Sequence, residues 1–189
     1  KIVGAMCDTQ AELKTIYPAL PDVIGREVYA VTTAELEERY PELTPKEREN
    51  KVCREHGTVF IMQIGGALPR SGKPHDGRAP DYDDWSLNGD IMIWYAPMEC
   101  ALELSSMGIR VNAESLRSQL EISGHEERAA LPFHRALLDG ELPLTVGGGI
   151  GQSRLCMALL AKVHVGEVQC SVWPEDMVKA CADAGIALL

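Results

Sequence analysis

Residues 90–111 read DIMIWYAPMECALELSSMGIRV, and the fold is decided there. Asp90–Ala96 and Cys100–Val111 are two strand-like runs parted by Pro97-Met98-Glu99, a pattern that predicts an antiparallel hairpin. Upstream, Thr58–Ile64 is β-branched and apolar, as a buried strand would be, and Gly65-Gly66 stops it. Residues 26–31 read as a further strand, and residues 1–20 as the end of a helix closed by Pro18 and Pro21. Thr32-Thr33-Ala34-Glu35 is a capping box: a threonine hydroxyl takes one orphan N–H while Glu35 reaches back to another. Thr44-Pro45-Lys46-Glu47 repeats it, with proline at the first helical position, and that helix ends at Gly57. Residues 67–88 are polar and rich in Gly, Pro and Asp, so a long loop is expected. Downstream, Asn112 caps a helix carrying Leu116 and Leu120 and closed by Gly124. A second helix covers residues 131–139. Leu144-Thr145-Val146 then leads into a glycine turn, Gly147–Gly151, and a helix from Gln152 to about Lys162. Val163–Val172 is expected to be a strand and Glu175–Ala184 a last helix closed by Gly185. Hairpin-joined strands with helices between them predict an α+β domain with a largely antiparallel sheet.

With 189 residues, 46% of them hydrophobic and 24% charged, the chain is the size of one domain and encloses a core without staples. The formal net charge of -10, with Lys and Arg scattered, excludes a polyanion-binding surface, so no nucleic-acid partner is expected. The six cysteines form no C-x-x-C pair and the five histidines show no ligand spacing beside them, which predicts reduced thiols in a cytoplasmic protein. No apolar run approaches the roughly 20 residues of a membrane span, so no membrane partner is expected. The chain opens Lys1-Ile2-Val3 without an initiator Met, as a processed or partial chain would.

Three segments could carry chemistry. In Gly147-Gly148-Gly149-Ile150-Gly151-Gln152-Ser153-Arg154, glycines let a ligand approach the backbone, and the helix start with Arg154 in its first turn suits a phosphate. It is neither a Walker loop nor a dinucleotide fingerprint, and tight strand–helix packing explains a bare glycine run equally well. In Glu103–Arg110, small residues separate a carboxylate from a guanidinium on one strand. Strict alternation puts Ser106 and Arg110 on one face and Glu103 on the other; all three share a face only through a bulge, which Ser105 to Gly108 would allow. In Arg78–Trp85, followed by Asp90, clustered carboxylates suit Mg²⁺ or an ammonium group, and Tyr82 and Trp85 mark a loop that packs onto something.

Arg78–Ser86 (RAPDYDDWS), Leu87–Ile91 (LNGDI), Glu103–Val111 (ELSSMGIRV) and Gly140–Leu155 (GELPLTVGGGIGQSRL) occur in this order in the ammonia-dependent asparagine synthetases. Val168–Trp173 and the Arg39-Tyr40-Pro41 helix end also resemble that family, and the resemblance runs over essentially the whole chain. It implies the catalytic core of class II aminoacyl-tRNA synthetases, with residues 1–189 as the C-terminal part of a single catalytic domain. GGGIGQSR is similar to class II motif 3, which gives Arg154 the ATP phosphates. ELSSMGIR looks like the class II strand with a metal-binding glutamate and a downstream arginine, which gives Glu103 and Asp90 the Mg²⁺ and the nucleotide. Asp83, Ser106, Arg110 and the backbone at Gly147 would line the aspartate site. The substrates implied are L-aspartate, ammonia and ATP, and the complete protein is expected to be a homodimer. Motif 1 and motif 2 of that fold are absent from the sequence, and Ser86 runs directly into Leu87 where the family carries a longer loop. Those gaps keep open a non-catalytic relative acting in dimerisation or amino-acid binding. An aspartyl- or asparaginyl-tRNA synthetase half fits motif 3 but fits RAPDYDDW poorly.

Overall fold

The computed structural model describes residues 1–189. Its elements run α1 (Ile2–Ile16), β1 (Tyr29–Thr32), α2 (Thr33–Arg39), α3 (Pro45–His56), β2 (Thr58–Met62), β3 (Asp83–Tyr95), β4 (Cys100–Arg110), α4 (Ala113–Ser123), α5 (Pro132–Leu138), β5 (Val146–Ile150), α6 (Gln152–Leu159) and α7 (Glu175–Asp183). The five strands form one sheet in the order β1-β2-β3-β4-β5. Only β1 and β2 pair in parallel; the other three pairings are antiparallel. The expected α+β class and largely antiparallel sheet are what the chain adopts.

Local chemistry fixes the helix starts. Thr32 accepts from the Glu35 N–H while the Glu35 carboxylate takes the Thr32 N–H at 2.8 Å. Thr44 and Glu47 do the same, with Pro45 in the first turn. Asn112 accepts from the N–H groups of Glu114 and Ser115 to start α4, and Gly124, left-handed at φ 68°, ends it. Each such cap contributes about 1 kcal/mol.

Both faces of the sheet carry a core. On one, α1 and α6 pack Val3, Met6, Met157 and Leu159 against Ile91, Ile93 and Leu104. On the other, α2 and α3 pack Leu36, Val52 and Cys53 against Val59, Ile61 and Met92. A third, smaller cluster of Val111, Leu116, Leu120 and Leu137 joins α4 to α5 beside the end of β4. No helix is long and apolar enough to cross a membrane, and all six cysteines are free.

Four expectations are corrected. The glycine run 147–149 is not a turn: it lies in β5, paired residue for residue with β4, and none of its φ angles is positive. Residues 163–172 form no strand. The Glu167 carboxylate takes the N–H groups of Val163 and His164, at 2.9 and 3.2 Å, and folds the segment into one 3-10 turn, Val165–Glu167. The loop before the central hairpin ends at Tyr82 rather than residue 88, because β3 begins at Asp83, which pairs with Arg110. The first strand starts at Tyr29, three residues late, after Arg26 has turned aside to pair with Asp8.

Candidate active site

The bulge that one shared face requires is present, earlier than expected. Asp90 pairs with Ser106 and Ile91 with Ser105, but Met92 pairs with Glu103, so Leu104 is the extra residue of β4. Leu104 turns into the core, 1% exposed, and Glu103 thereby joins Ser106, Gly108 and Arg110 on the opposite face. The Leu104 carbonyl accepts the Gly151 N–H at 2.7 Å, which ties the start of α6 to the bulge. That contact brings Arg154, in the first turn of α6, to Glu103: Nη1 lies 3.3 Å from Oε2.

Beside this pair stands a second, an ion pair in which Asp90 meets Arg78, a residue quoted from the sequence without a role. Asp90 is 6% exposed and faces Ser106 and Glu103. Burial pushes its pKa above the ordinary carboxylate value; Glu103 adds to that, against Ser106 and Arg78, which lower it. A cavity of about 340 Å³ opens over these groups, lined among others by Lys46, Asp76, Asp90, Glu103 and Arg154. His75 lines it too, with Nε2 3.3 Å from Glu49 and a buried Nδ1 that has no partner.

At the far end of β4 a third pair forms. Arg110 is ion-paired with Asp83, its strand neighbour. Its guanidinium carbon lies 3.8 Å from the centre of the Tyr82 ring, and Nη2 donates to the Tyr82 hydroxyl at 3.0 Å. Two glycines make the arrangement possible. A Cβ on Gly147 would run into the Arg110 guanidinium, and one on Gly108 would come within 2.7 Å of the Asp83 carboxyl carbon.

Between the two ends the floor is bare. Ser106 pairs with Gly149 and Gly108 with Gly147, so that stretch of β4 and β5 presents backbone and one hydroxyl. Seven residues of strand separate Glu103 from Arg110, a span of about 20 Å. The surface is a strip of exposed sheet with a guanidinium–carboxylate pair at one end and two at the other. Such a strip can hold a ligand that carries anionic groups at both ends.

All seven residues named from the sequence therefore lie on one face: Asp90, Glu103 and Arg154 at one end, Asp83, Arg110 and Gly147 at the other, Ser106 between. No group of three or more His, Cys, Asp or Glu side chains is arranged to hold a metal. Asp90 and Glu103 alone supply two carboxylates, a set that fits Mg²⁺, which is commonly held by one or two carboxylates with substrate phosphates and water. The sequence reading missed Arg78, Asp81, Gln119 and His134. Arg78 and Asp81 stand inside the quoted RAPDYDDW; Gln119 and His134 are isolated polar residues on helices, and nothing in their neighbourhood marks them.

The family model of aspartate-ammonia ligase matches residues 1–185. An aspartate–ammonia ligase of Lactobacillus acidophilus is 57% identical over 189 residues, covering all of this chain and 56% of that protein. One from Limosilactobacillus reuteri is 62% identical over 170 residues, covering 90% of this chain and 49% of its own length. The chain thus spans about half the length of the curated relatives it matches. Among solved structures, an aspartyl-tRNA synthetase from Entamoeba histolytica superposes with a TM-score of 0.56 at 16% identity, over 85% of this chain and 36% of that one. The asparaginyl-tRNA synthetase of the same organism, in complex with asparaginyl-adenylate, gives 0.54 at 18% identity, over 87% and 38%. That likeness shows the fold, the class II synthetase sheet. With the family model running over nearly its whole length, the chain belongs to the aspartate–ammonia ligase family.

Proposed function

We propose that residues 1–189 are the C-terminal part of a single catalytic domain that joins ammonia to L-aspartate at the expense of ATP, forming L-asparagine, AMP and pyrophosphate. The observation that carries this reading is the contact of Arg154 with Glu103 at one end of a floor bare but for the Ser106 hydroxyl, whose other end holds Arg110. In the first stage the aspartate β-carboxylate attacks the α-phosphorus of ATP and pyrophosphate leaves. In the second, ammonia attacks the β-carbonyl of the aspartyl adenylate and AMP leaves.

Arg154 turns from Glu103 to the phosphates and offsets the charge that builds on the phosphorus and its leaving group. Asp90 and Glu103 would hold Mg²⁺, which supplies further charge neutralisation at the phosphates when bound. Arg110 receives an aspartate carboxylate, Asp83 the ammonium group, Ser106 a hydrogen bond, and Gly147 gives the backbone room for close approach. No protein nucleophile is needed; the sheet works by holding both substrates in line. The acidic surface and the family's small substrates support a protein without a nucleic-acid partner. The complete protein is read as a homodimer, and as cytoplasmic, the latter in keeping with six unpaired thiols.

The test is aspartate-dependent exchange between ATP and pyrophosphate. It is run with this chain joined to the portion of the Lactobacillus acidophilus relative outside the match. Exchange is expected, and Arg154→Ala is expected to abolish it. ATP binding without exchange would instead favour a non-catalytic relative. AMP release that depends on added tRNA would point to a tRNA synthetase half.

A further inference from the structure

We propose that Gln119 and His134 are positioning residues for aspartate, acting on Arg110 through residues 78–86, the end of the loop and the start of β3. This rests on the functional reading above and names the device that sets its amino-acid affinity.

Between Arg78 and Leu87 ladder pairing is confined to Asp83 with Arg110 and to the Tyr82 carbonyl, which accepts the Val111 N–H at 3.1 Å, so the other buried backbone groups need partners from elsewhere. Gln119, on α4 and 4% exposed, supplies them at three points. Its Nε2 donates to the carbonyls of Pro80 and Asp83, at 2.9 and 3.1 Å, and its Oε1 accepts the Trp85 N–H at 2.8 Å. One amide thus uses both donors and its acceptor on one stretch of chain. His134, on α5 and 6% exposed, places Nε2 2.9 Å from Asp81 Oδ2. Its Nδ1 is buried without a partner, so the proton is assigned to Nε2, which donates to Asp81. Arg128 reaches the same oxygen at 3.3 Å.

Tyr82 and Asp83 lie between these fixed points, and they are the residues that stack on and pair with Arg110. A continuous line of contact therefore runs from the α4–α5 module through the loop to the guanidinium. The module already has an apolar core of its own. Burying an amide and an imidazole in its flank costs desolvation that a leucine and a phenylalanine would not incur. What the polar pair adds is direction: it sets where residues 80–85 lie, and a misplacement of about 1 Å at a binding group is enough to cost catalysis.

The experiment uses the joined protein described above. Gln119→Leu and His134→Phe are each expected to raise the aspartate KM about tenfold while kcat and the ATP KM stay within about twofold. His134→Gln keeps an N–H donor for Asp81 and is expected to restore the aspartate KM. Gln119→Glu keeps the shape and the acceptor for Trp85, loses both donors, and is expected to behave as the leucine variant, which guards against a variant that misfolds. Hydrogen exchange of amides 80–85 is measured alongside, and faster exchange in the variants is expected. An unchanged aspartate KM, or equal rises in both KM values, would overturn the inference and leave the two residues as structural supports. Absence of exchange activity in the unsubstituted protein would instead sink the functional reading, and the inference with it, before any variant is compared.

Discussion

The absence of a side chain does as much at this site as its charges do. Gly147 is flanked by Arg110, and a methyl group there overlaps the guanidinium, so Arg110 must move from its place beside Asp83 and Tyr82. Gly147→Ala is expected to raise the aspartate KM by about tenfold or more with the ATP KM little changed, as steady-state kinetics of the joined protein would show. The glycine run was legible in the sequence as a place for close approach, but its secondary structure was not. Turn or strand was decided by pairing with β4, a partner some forty residues away in the chain. The cysteines divide by burial, which composition does not show. Burial pushes the Cys53 thiol up to about 12, and Cys7 and Cys181 are also buried, whereas Cys156 and Cys170 are exposed. A thiol reagent at pH 8 is expected to label Cys156 and Cys170 quickly, and the three buried cysteines only after denaturant is added.

Among elements, helices were read closely because their signals are local. Thr44 with Glu47 and Asn112 with Ser115 lie within one turn of the helices they start. Thr44→Ala is expected to destabilise the fold by about 1 kcal/mol, seen as a lower urea midpoint with an unchanged slope. Strands were harder, since β3 and β4 owe their register to one another. The sequence could say that Glu103 needed a bulge to face Arg110; it could not say that Leu104 would be the extra residue. Deleting Leu104 removes the bulge but leaves Glu103 opposite Met92, on the face it already shares with Ser106; what is lost is a buried core side chain and the carbonyl that holds the Gly151 N–H. That deletion is expected to free the start of α6 and so misplace Arg154, weakening ATP binding, measured by calorimetry, in a chain whose circular dichroism still reports a sheet. The helix-borne clamp was invisible for a related reason. His134 meets Asp81 across 53 positions of sequence, and neither residue stands in a periodic pattern that announces the other.

For the whole molecule, acid is the informative perturbation. Burial pushes Glu49 up, but His75 and Lys46 outweigh it and bring the carboxyl below its ordinary value. Burial likewise opposes the lowering of Asp81 by His134 and Arg128, and loses. Glu37 is lowered by Ser71 first and by the backbone N–H of Arg70. A carboxyl with a lowered folded value contributes stability that is present above the ordinary range, about 4, and lost as pH falls through the folded value. Asp90, raised by burial, runs the other way: its cost appears as pH rises through its folded value. Glu35, Glu47, Glu55 and Glu167 are lowered as well, so seven carboxyls of the first kind against one of the second predict a urea midpoint that falls between about pH 5 and about pH 3.

The three arginines over the sheet, Arg78, Arg110 and Arg154, are each already matched by a carboxylate of the protein itself. The resting surface is therefore charge-balanced, and any newcomer must trade places with an internal occupant rather than dock onto a vacant cation. A lone phosphate or a lone divalent ion swaps one partner for another of similar strength and gains little. A molecule that brings anion and metal together satisfies the displaced carboxylate in the same move that it captures the arginine. Discrimination between an ion alone and a ligand that carries anion and metal together is thus written into the pairing of opposite charges before either arrives.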